Sequence, residues 1–268
     1  MRYFFILNLL AGKGGNETTL RTEIDKLEEA DDCTLYVTKG EKDATRFVKE
    51  CISKYPNEKL RFIACGGDGT FCEVCNGAVG VDNASVSVYP CGSGNDFVKT
   101  FGGAGKFLNV KGLVKAPERK LDAIKVGENY CVNVLNFGFD TTVALYVQER
   151  RKQLGHSSKF AYTEGIVKAL VTSIRNEFKV IADGELLNPS GEGLFCTLGN
   201  GQYVGGSFRC SPRAETDDGL IDVCIFKPCS RLRVPFIIGH YSKGEHLDTR
   251  SEERRVGKEC RSRWSPDH

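Results

Sequence analysis

No stretch of the 268-residue chain approaches the roughly 20 apolar residues that a membrane-spanning helix needs. Its apolar opening, "MRYFFILNLLAGKGG", lacks a basic segment and a cleavage site, which predicts a first β-strand and not a secretion signal. An excess of charge is also missing, because the residues before Arg250 carry equal numbers of acidic and basic side chains. Nucleic-acid-binding proteins usually show a basic excess, so we expect no nucleic-acid partner.

The cysteine and histidine spacings of a disulfide framework or a metal cluster are also absent from the sequence. The twelve cysteines are scattered through apolar stretches without a secreted disulfide framework, so we expect a cytoplasmic protein. Cys72 and Cys75 form a CxxC, but a zinc site needs a second pair, and none exists. Their spacing predicts that both lie on one buried helix face. The four histidines show no HExxH spacing, and we expect His240 and His246 to be structural or exposed.

Strands and helices alternate over the first 120 residues. "RYFFILN", "CTLYVT", "LRFIAC" and "ASVSVYP" are strand-like, and helices are predicted from Asn16 to about Ala30, over "KDATRFVKECISKY" and up to about Val79. This order predicts an α/β domain with a parallel sheet covered on both faces. The loops "NLLAGKGG", "TKGEKD", "GGDGT" and "PCGSGND" all follow strands, so they should converge at one edge, where such sheets bind ligands.

The pattern changes after residue 120. "LDAIKV", "YCVNVLNFGF", "FKVIA", "GLFCTLGN" and "LIDVCIFK" are strand-like, with one helical stretch at about 162–175. We therefore predict a nucleotide-binding α/β domain over 1–120 and a mostly antiparallel β-sandwich domain over 121–249.

The turn "GGDGT" after the third strand has the composition of a phosphate site. Gly66, Gly67 and Gly69 predict backbone conformations closed to other residues and close approach of a ligand to the main chain. The next helix begins there, and its N–H groups suit phosphate. Asp68 would repel phosphate unless a cation lies between them, which points to Mg²⁺ and a nucleotide. The alternative is a simple Asp-Gly turn, and the second glycine-rich turn about 25 residues later favours phosphate binding.

"GGDGTFCEV" followed by "PCGSGNDF" resembles the catalytic domain of the diacylglycerol kinase family, which includes sphingosine, ceramide and bacterial lipid kinases. "NLLAGKGG" resembles the family's first loop, with Leu9 where Pro is usual, and "YVTKGEKDA" resembles its second nucleotide contact. "GGSFRCSPRAETDDGLIDV" is similar to its second-domain signature, so the resemblance covers about 2–249. NAD kinases share GGDGT but lack the PxGxxNDF and PxAxxDDG elements.

The resemblance implies ATP and Mg²⁺ as cofactors and Asp68 as the catalytic residue that holds or organises Mg²⁺. The implied nucleotide-binding residues are Asn8, Ala11, Gly12, Thr38, Gly66, Gly67, Asp68, Gly69, Thr70, Glu73, Ser93, Asn95 and Asp96. Glu73 is equally explained as an acidic residue at a helix start, and Asp96 as a helix cap.

A structural Mg²⁺ in the second domain is also implied, held by the Asp218 carboxylate and the carbonyl oxygens of Glu215 and Leu220. The alternative is an Asp-Gly hairpin turn. The family ends with an Asp-Gly-Glu whose glutamate is the general base. Asp183-Gly184-Glu185 precedes the DDG element, so we expect it to be only a turn.

Residues 250–268, "RSEERRVGKECRSRWSPDH", contain the only Trp and no Leu, Ile or Phe after Arg250, and no strand or helix periodicity. The segment resembles a translated sequencing adapter, and the alternative is a basic disordered tail. We therefore expect a truncated second domain without its general base, and low activity of this chain.

The predicted function is transfer of the ATP γ-phosphate to a lipid alcohol, most simply diacylglycerol, by a cytoplasmic enzyme bound peripherally at the inner membrane surface. The alternatives are an NAD kinase-like enzyme and a non-catalytic nucleotide- or lipid-binding relic. The sequence leaves the oligomeric state open, with a homodimer as one alternative.

Overall fold

Four strands alternate with helices in the first half of the protein, as predicted. The computed structural model describes residues 1–12, 16–154, 159–248 and 252–256, and the chain divides into two compact units after Val132. The first unit contains β1 (Arg2–Leu7), α1 (Asn16–Ile24), β2 (Cys33–Val37), α2 (Asp43–Lys54), β3 (Leu60–Gly66), α3 (Asp68–Ala78), β4 (Ala84–Pro90), α4 (Asp96–Lys99), α5 (Val110–Lys115), β5 (Ile124–Val126) and β6 (Asn129–Cys131).

The main sheet of this unit is fully parallel, in the order β2-β1-β3-β4. β3 is buried along its whole length and alternates between two cores. Phe62 and Ala64 pack with α2 and α3, whereas Ile63 and Cys65 pack with α1 and α5. Because all four strands run in one direction, their carboxyl ends share one edge of the sheet.

Two local predictions in this unit are wrong. Helix α1 ends at Ile24 and not near Ala30, and Leu27 reaches the core from the turn that follows. Cys75 is buried, but Cys72 is exposed. Residues three apart on a helix are offset by roughly 60°, which carries Cys72 over the edge of the buried face.

The second unit is built on antiparallel pairs, as predicted. It contains β7 (Val134–Gly138), α6 (Phe139–Leu154), α7 (Lys159–Thr172), β8 (Asn176–Glu177), β9 (Ile181–Ala182), β10 (Glu185–Leu186), β11 (Glu192–Gly193), β12 (Phe195–Gly199), β13 (Ile221–Phe226), α8 (Val234–Lys243) and β14 (Glu252–Val256). A four-stranded sheet has the order β14-β13-β12-β7, and β9 pairs with β10 and β8 with β11. Asp183 and Gly184, both with positive φ, form the turn between β9 and β10, as the Asp-Gly pair predicts.

The prediction of a single helix in this half is wrong, because α6 and α8 are helical as well. Gly138, at a φ of +88°, ends β7 and turns the chain directly into α6, so strand and helix form one continuous segment. Helix α8 is apolar on most sides and short, and such a run is hard to distinguish from a strand by periodicity. Pro235 in its first turn is the only strong helix-start signal.

Several titratable side chains lie inside this unit. His246 packs against the rings of Phe226 and Tyr241, whereas His240 is partly exposed. Burial raises the pKa of Asp140, in the first turn of α6, to about 6, although a hydrogen bond from Tyr241 opposes the rise.

The tail prediction is only partly within the described residues. Residues 252–256 form β14, antiparallel to β13, where the sequence shows no strand periodicity. Residues 249–251 and 257–268 lie outside the described part of the chain. Within the described residues, no helix combines the length and the apolarity needed to cross a bilayer.

Candidate functional site

The four loops at the carboxyl edge of the parallel sheet are bonded to one another. In the first loop, Asn8 Nδ2 donates to Thr70 Oγ1 in the third loop at 3.2 Å. Gly12, at a φ of +78°, lies so close to the carbonyl oxygen of Cys91 that a Cβ would overlap it. The amide of Cys91 in turn donates to Gly66 O at 3.0 Å. The first, third and fourth loops therefore form one connected surface.

Glu73 joins the second loop to this surface. Its Oε1 accepts a hydrogen bond from the amide of Lys42 at 3.0 Å, and its carbonyl oxygen accepts one from Thr45 Oγ1 at 2.7 Å. Lys42 has a φ of +64° and precedes α2. Asp43 fixes the same loop by accepting from the Lys39 amide at 2.8 Å, which with the Arg46 guanidinium lowers the pKa of Asp43 to about 2. In this structure Glu73 thus shapes a loop from the helix side.

The glycines of "GGDGT" do not adopt the special backbone conformations that were predicted for them. Gly66, Gly67 and Gly69 all lie outside the positive-φ region, so the prediction of special backbone conformations is wrong here. A side chain at Gly66 would overlap Thr70, and a side chain at Gly92 would overlap the Cα of Gly67. Steric overlap, with the Thr70 side chain at Gly66 and with the Gly67 main chain at Gly92, and not φ, requires glycine at these positions. Gly69 has open space where its Cβ would lie.

Asp68 is anchored between the two glycine-rich turns. Its Oδ1 accepts hydrogen bonds from the amides of Asp96 at 2.7 Å and Phe97 at 3.2 Å, so it caps the start of α4. Burial raises the pKa of the Asp68 carboxyl, and the charge of Asp96 raises it further, against the lowering effect of the amide hydrogen bonds. A carboxylate in such a place gains from a nearby cation.

The other carboxylate oxygen of Asp68 faces Gly94. A Cβ at Gly94 would lie 2.8 Å from Asp68 Oδ2 and 3.5 Å from Asp96 Oδ2. Two carboxylate oxygens therefore face the space that the missing side chain leaves. Asp96 is itself buried and bonded to Lys99 Nζ at 2.8 Å. This set of hard oxygen donors fits a divalent cation of the Mg²⁺ type.

Asn95 holds the fourth loop in shape. It has a φ of +50°, and its side chain accepts from the amide of Gly92 at 3.1 Å and donates to the carbonyl of Gly92 at 2.8 Å. Of the two predicted hydroxyl contacts, Ser93 is exposed at the tip of this loop. Thr38 begins the second loop, where its amide donates to Leu7 O at 2.8 Å. Ala11 is buried beside Gly12, with its amide bonded to Asn8 O at 3.0 Å.

The predicted second metal site lies in the other unit. Asp218 Oδ1 accepts from the amide of Leu220 at 2.8 Å, and Gly219 has a φ of +74°, which is the geometry of an Asp-Gly turn. No group of three or more His, Cys, Asp or Glu side chains suited to a metal occurs among the described residues. A cation here would depend on one carboxylate and on backbone carbonyl oxygens, including those of Glu215 and Leu220.

The sequence did not reveal the roles of Gly92, Gly94 and Lys99 in this site. Each acts across a contact between separate loops or on a neighbouring carboxylate, which spacing alone does not show. The only signal was the glycine content of "PCGSGND". The cap that Asp68 provides to α4 joins residues 28 positions apart and was missed for the same reason.

Each of the two units matches a known protein family. Residues 2–127 match the model of the diacylglycerol kinase catalytic domain, and residues 133–263 match that of the YegS C-terminal NAD kinase beta sandwich-like domain. A probable lipid kinase YegS-like of Alcanivorax borkumensis is 28% identical over 222 residues, which are 82% of this chain and 72% of the relative. Its counterpart in Pseudomonas fluorescens is 29% identical over 225 residues, with the same coverage of 82% and 72%.

A solved structure shows the same fold. The crystal structure of a putative diacylglycerol kinase from Bacillus anthracis str. Sterne aligns with a TM-score of 0.71 at 24% identity, over 95% of this chain and 82% of that chain.

Proposed function

The chain belongs to the diacylglycerol kinase catalytic-domain family of lipid kinases, and we propose that it transfers the γ-phosphate of ATP to the hydroxyl of a lipid alcohol. Diacylglycerol is the simplest acceptor of this class and the one that we propose. The observation that carries the proposal is Asp68, held by the amides of Asp96 and Phe97 where the two glycine-rich turns touch.

The linked loops are suited to nucleotide phosphates. Helix α3 begins at Asp68 without a side-chain cap, and its amides and dipole favour a bound anion. Gly69 leaves the main chain open to an approaching ligand. Asn8 and Thr70 fix the first and third loops against each other, and Asn95 fixes the fourth. In phosphoryl transfer the protein contributes mainly positioning and charge neutralisation, which preformed loops supply.

Asp68 and Asp96 are the residues that we propose to hold the catalytic Mg²⁺, since their oxygens face one space beside Gly94. When bound, the cation neutralises the charge on the transferring phosphoryl group. Lys99, bonded to Asp96, keeps that carboxylate oriented. A second Mg²⁺ at Asp218 would stabilise the other unit, and we propose it with the Glu215 and Leu220 carbonyl oxygens as further ligands.

The acceptor reaches such an enzyme from a bilayer, so we propose peripheral association with a membrane surface. An NAD kinase-like activity is the second candidate, because the matched model of the second unit is described as NAD kinase beta sandwich-like. The sequence elements PxGxxNDF and PxAxxDDG, which NAD kinases lack, are both present in this chain, which favours a lipid alcohol as the acceptor.

The test is an acceptor panel. The protein is incubated with radiolabelled ATP, Mg²⁺ and either diacylglycerol, sphingosine, ceramide or monoacylglycerol in mixed micelles, or with NAD in solution. We expect labelled lipid and no labelled NADP. If label appears in NADP alone, the acceptor is NAD and the proposed lipid acceptor is wrong. If no product is labelled although the protein still binds nucleotide, the result supports the non-catalytic alternative.

A further inference from the structure

Helix α7 is built with its small residues inward. Ala161, Gly165 and Ala169 are buried, and a Cβ at Gly165 would lie 3.2 Å from the carbonyl oxygen of Val143 in α6. The two helices therefore approach each other closely through small side chains. Ile166 and Leu170 also pack against the core of the unit, whereas other large apolar residues of α7 are exposed.

The outward face of α7 is apolar. Phe160, Val167 and Val171 are 75%, 57% and 65% exposed, and their spacing of seven and four residues places them in one stripe. A helix on a protein surface normally presents polar residues to water. This stripe presents apolar residues to water instead, and an exposed apolar surface of this kind marks a site of interaction with another molecule or a membrane.

The start of α8 extends the stripe. Arg231 donates from Nε to Leu170 O at 2.9 Å and from Nη2 to Val171 O at 3.4 Å, so the turn before α8 lies against the carboxyl end of α7. Leu232, the next residue, is 92% exposed, and Phe236 is 64% exposed. We define the α7–α8 apolar surface as Phe160, Val167, Val171, Leu232 and Phe236.

Basic side chains border this surface. Lys168 follows Val167 in the chain, with its Nζ 5.1 Å from the centroid of the Tyr146 ring, and Arg233 follows Leu232; both basic residues are exposed. The only acidic residue of α7, Glu164, is engaged by Arg150 Nε at 3.1 Å and by Tyr146 OH at 2.9 Å. The chain from Lys227 to Lys243 contains no Asp or Glu. Charge at the border is therefore positive.

We propose that the α7–α8 apolar surface docks the protein on an anionic lipid bilayer. Exposed apolar side chains enter the boundary between headgroups and acyl chains, and a basic border is attracted to anionic headgroups. Lys168 and Arg233 supply that attraction, while Arg231 ties the two helices into one surface. The inference rests on the proposed function, which requires a lipid acceptor, and it names the part of the second unit that meets the membrane.

The test measures co-sedimentation with vesicles of phosphatidylcholine alone and of phosphatidylcholine mixed with phosphatidylglycerol. The intact chain should bind the mixed vesicles, and added salt should weaken binding. The doubles Val167→Asn/Val171→Asn and Leu232→Gln/Phe236→Gln should each lose affinity by about ten-fold or more. The double Lys168→Gln/Arg233→Gln should lose affinity for mixed vesicles only.

A matched control removes exposed apolar side chains elsewhere in the same unit. The double Ile181→Asn/Leu186→Gln changes the hairpin of β9 and β10, where Ile181 is 62% and Leu186 39% exposed. It should bind vesicles like the unmodified chain. All mutated side chains are exposed, so melting temperatures should change little, and melting curves confirm that each variant is folded.

Vesicle binding needs no turnover, so its result is independent of the kinase assay. Equal vesicle affinity of the apolar doubles and the control would overturn the docking surface while leaving the proposed function standing. If the apolar doubles instead convert a dimer to a monomer in analytical ultracentrifugation without changing vesicle binding, the surface is an interface between copies and the proposal is wrong. If the protein binds vesicles but transfers phosphate to no lipid, the docking surface stands and the proposed function is wrong.

Discussion

Replacement of Asp68 separates its structural role from its chemical one. Asp68→Ala removes the acceptor for the Asp96 and Phe97 amides, whereas Asp68→Asn keeps an oxygen that can accept both hydrogen bonds. Loss of such a cap generally costs about 0.5–2 kcal/mol. Hydrogen bonds to a charged acceptor are stronger than neutral ones, but burial of this carboxylate, evident in its raised pKa, offsets part of the gain. We therefore expect Asp68→Ala to destabilise the first unit by about 1–2 kcal/mol.

For a unit of this size, that loss lowers the melting temperature by about 3–8 °C. Asp68→Asn should melt within about 3 °C of the unmodified chain, since it loses charge but keeps the cap. Both variants should reduce phosphate transfer by about 100-fold or more, because neither holds a divalent cation as a carboxylate does.

The assays are thermal melting and initial rates with radiolabelled ATP and diacylglycerol, with all three proteins at equal concentration. Unchanged melting of Asp68→Ala would refute the cap. Near-normal turnover of a folded Asp68→Asn would refute the metal role even if the cap is real.

Three further changes test other parts of the structure. Gly92→Ala places a Cβ against Gly67, so we expect weaker ATP binding by isothermal titration and a lower melting temperature, whereas Gly105→Ala, which has open space, should leave both unchanged. The pKa of Asp140 is about 6 in the folded protein, above its value in the unfolded chain, so its contribution to stability is present at low pH and is lost as the pH rises through 6. Asp140→Asn should therefore raise the free energy of unfolding at pH 7 by up to about 3 kcal/mol. The same variant should flatten the dependence of that free energy on pH, as measured by urea unfolding. If the free energy of unfolding depends on pH equally steeply in Asp140→Asn and in the unmodified chain, the raised pKa of Asp140 is contradicted. Mg²⁺ without ATP should raise the melting temperature of the unmodified chain more than that of Asp218→Asn at fixed ionic strength, and equal shifts would exclude Asp218 as a ligand.

The strands of the first unit and the convergence of its loops follow from local pattern. Continuous apolar runs such as β3 and glycine-rich turns after each strand are short-range signals, and parallel strands bring their carboxyl ends to one edge. Helix α1 shows the limit of such signals, because its apolar spacing continues to Leu27 after the helix has ended at Ile24.

What the sequence could not provide depends on contacts between distant segments. Gly92 is required because Gly67 lies against it, and Asp68 caps a helix that begins 28 residues later. Helices α6 and α8 were missed because Thr, Val and Ile residues within them favour strand in isolation, and packing on the sheet overrides that preference. The exposed stripe on α7 is visible only once its buried face is known.

We propose that the linked loops of the first unit deliver the γ-phosphate of ATP to a lipid hydroxyl. The most direct measurement supplies ATP with heavy oxygen in the γ-phosphate to vesicles containing diacylglycerol, and follows the lipid extract by mass spectrometry for the unmodified chain and Asp68→Asn. We expect a lipid phosphate that carries the heavy label, formed in step with ADP by the unmodified chain and nearly absent with Asp68→Asn. Heavy label only in inorganic phosphate, or equal labelling of the lipid by both proteins, would contradict this expectation.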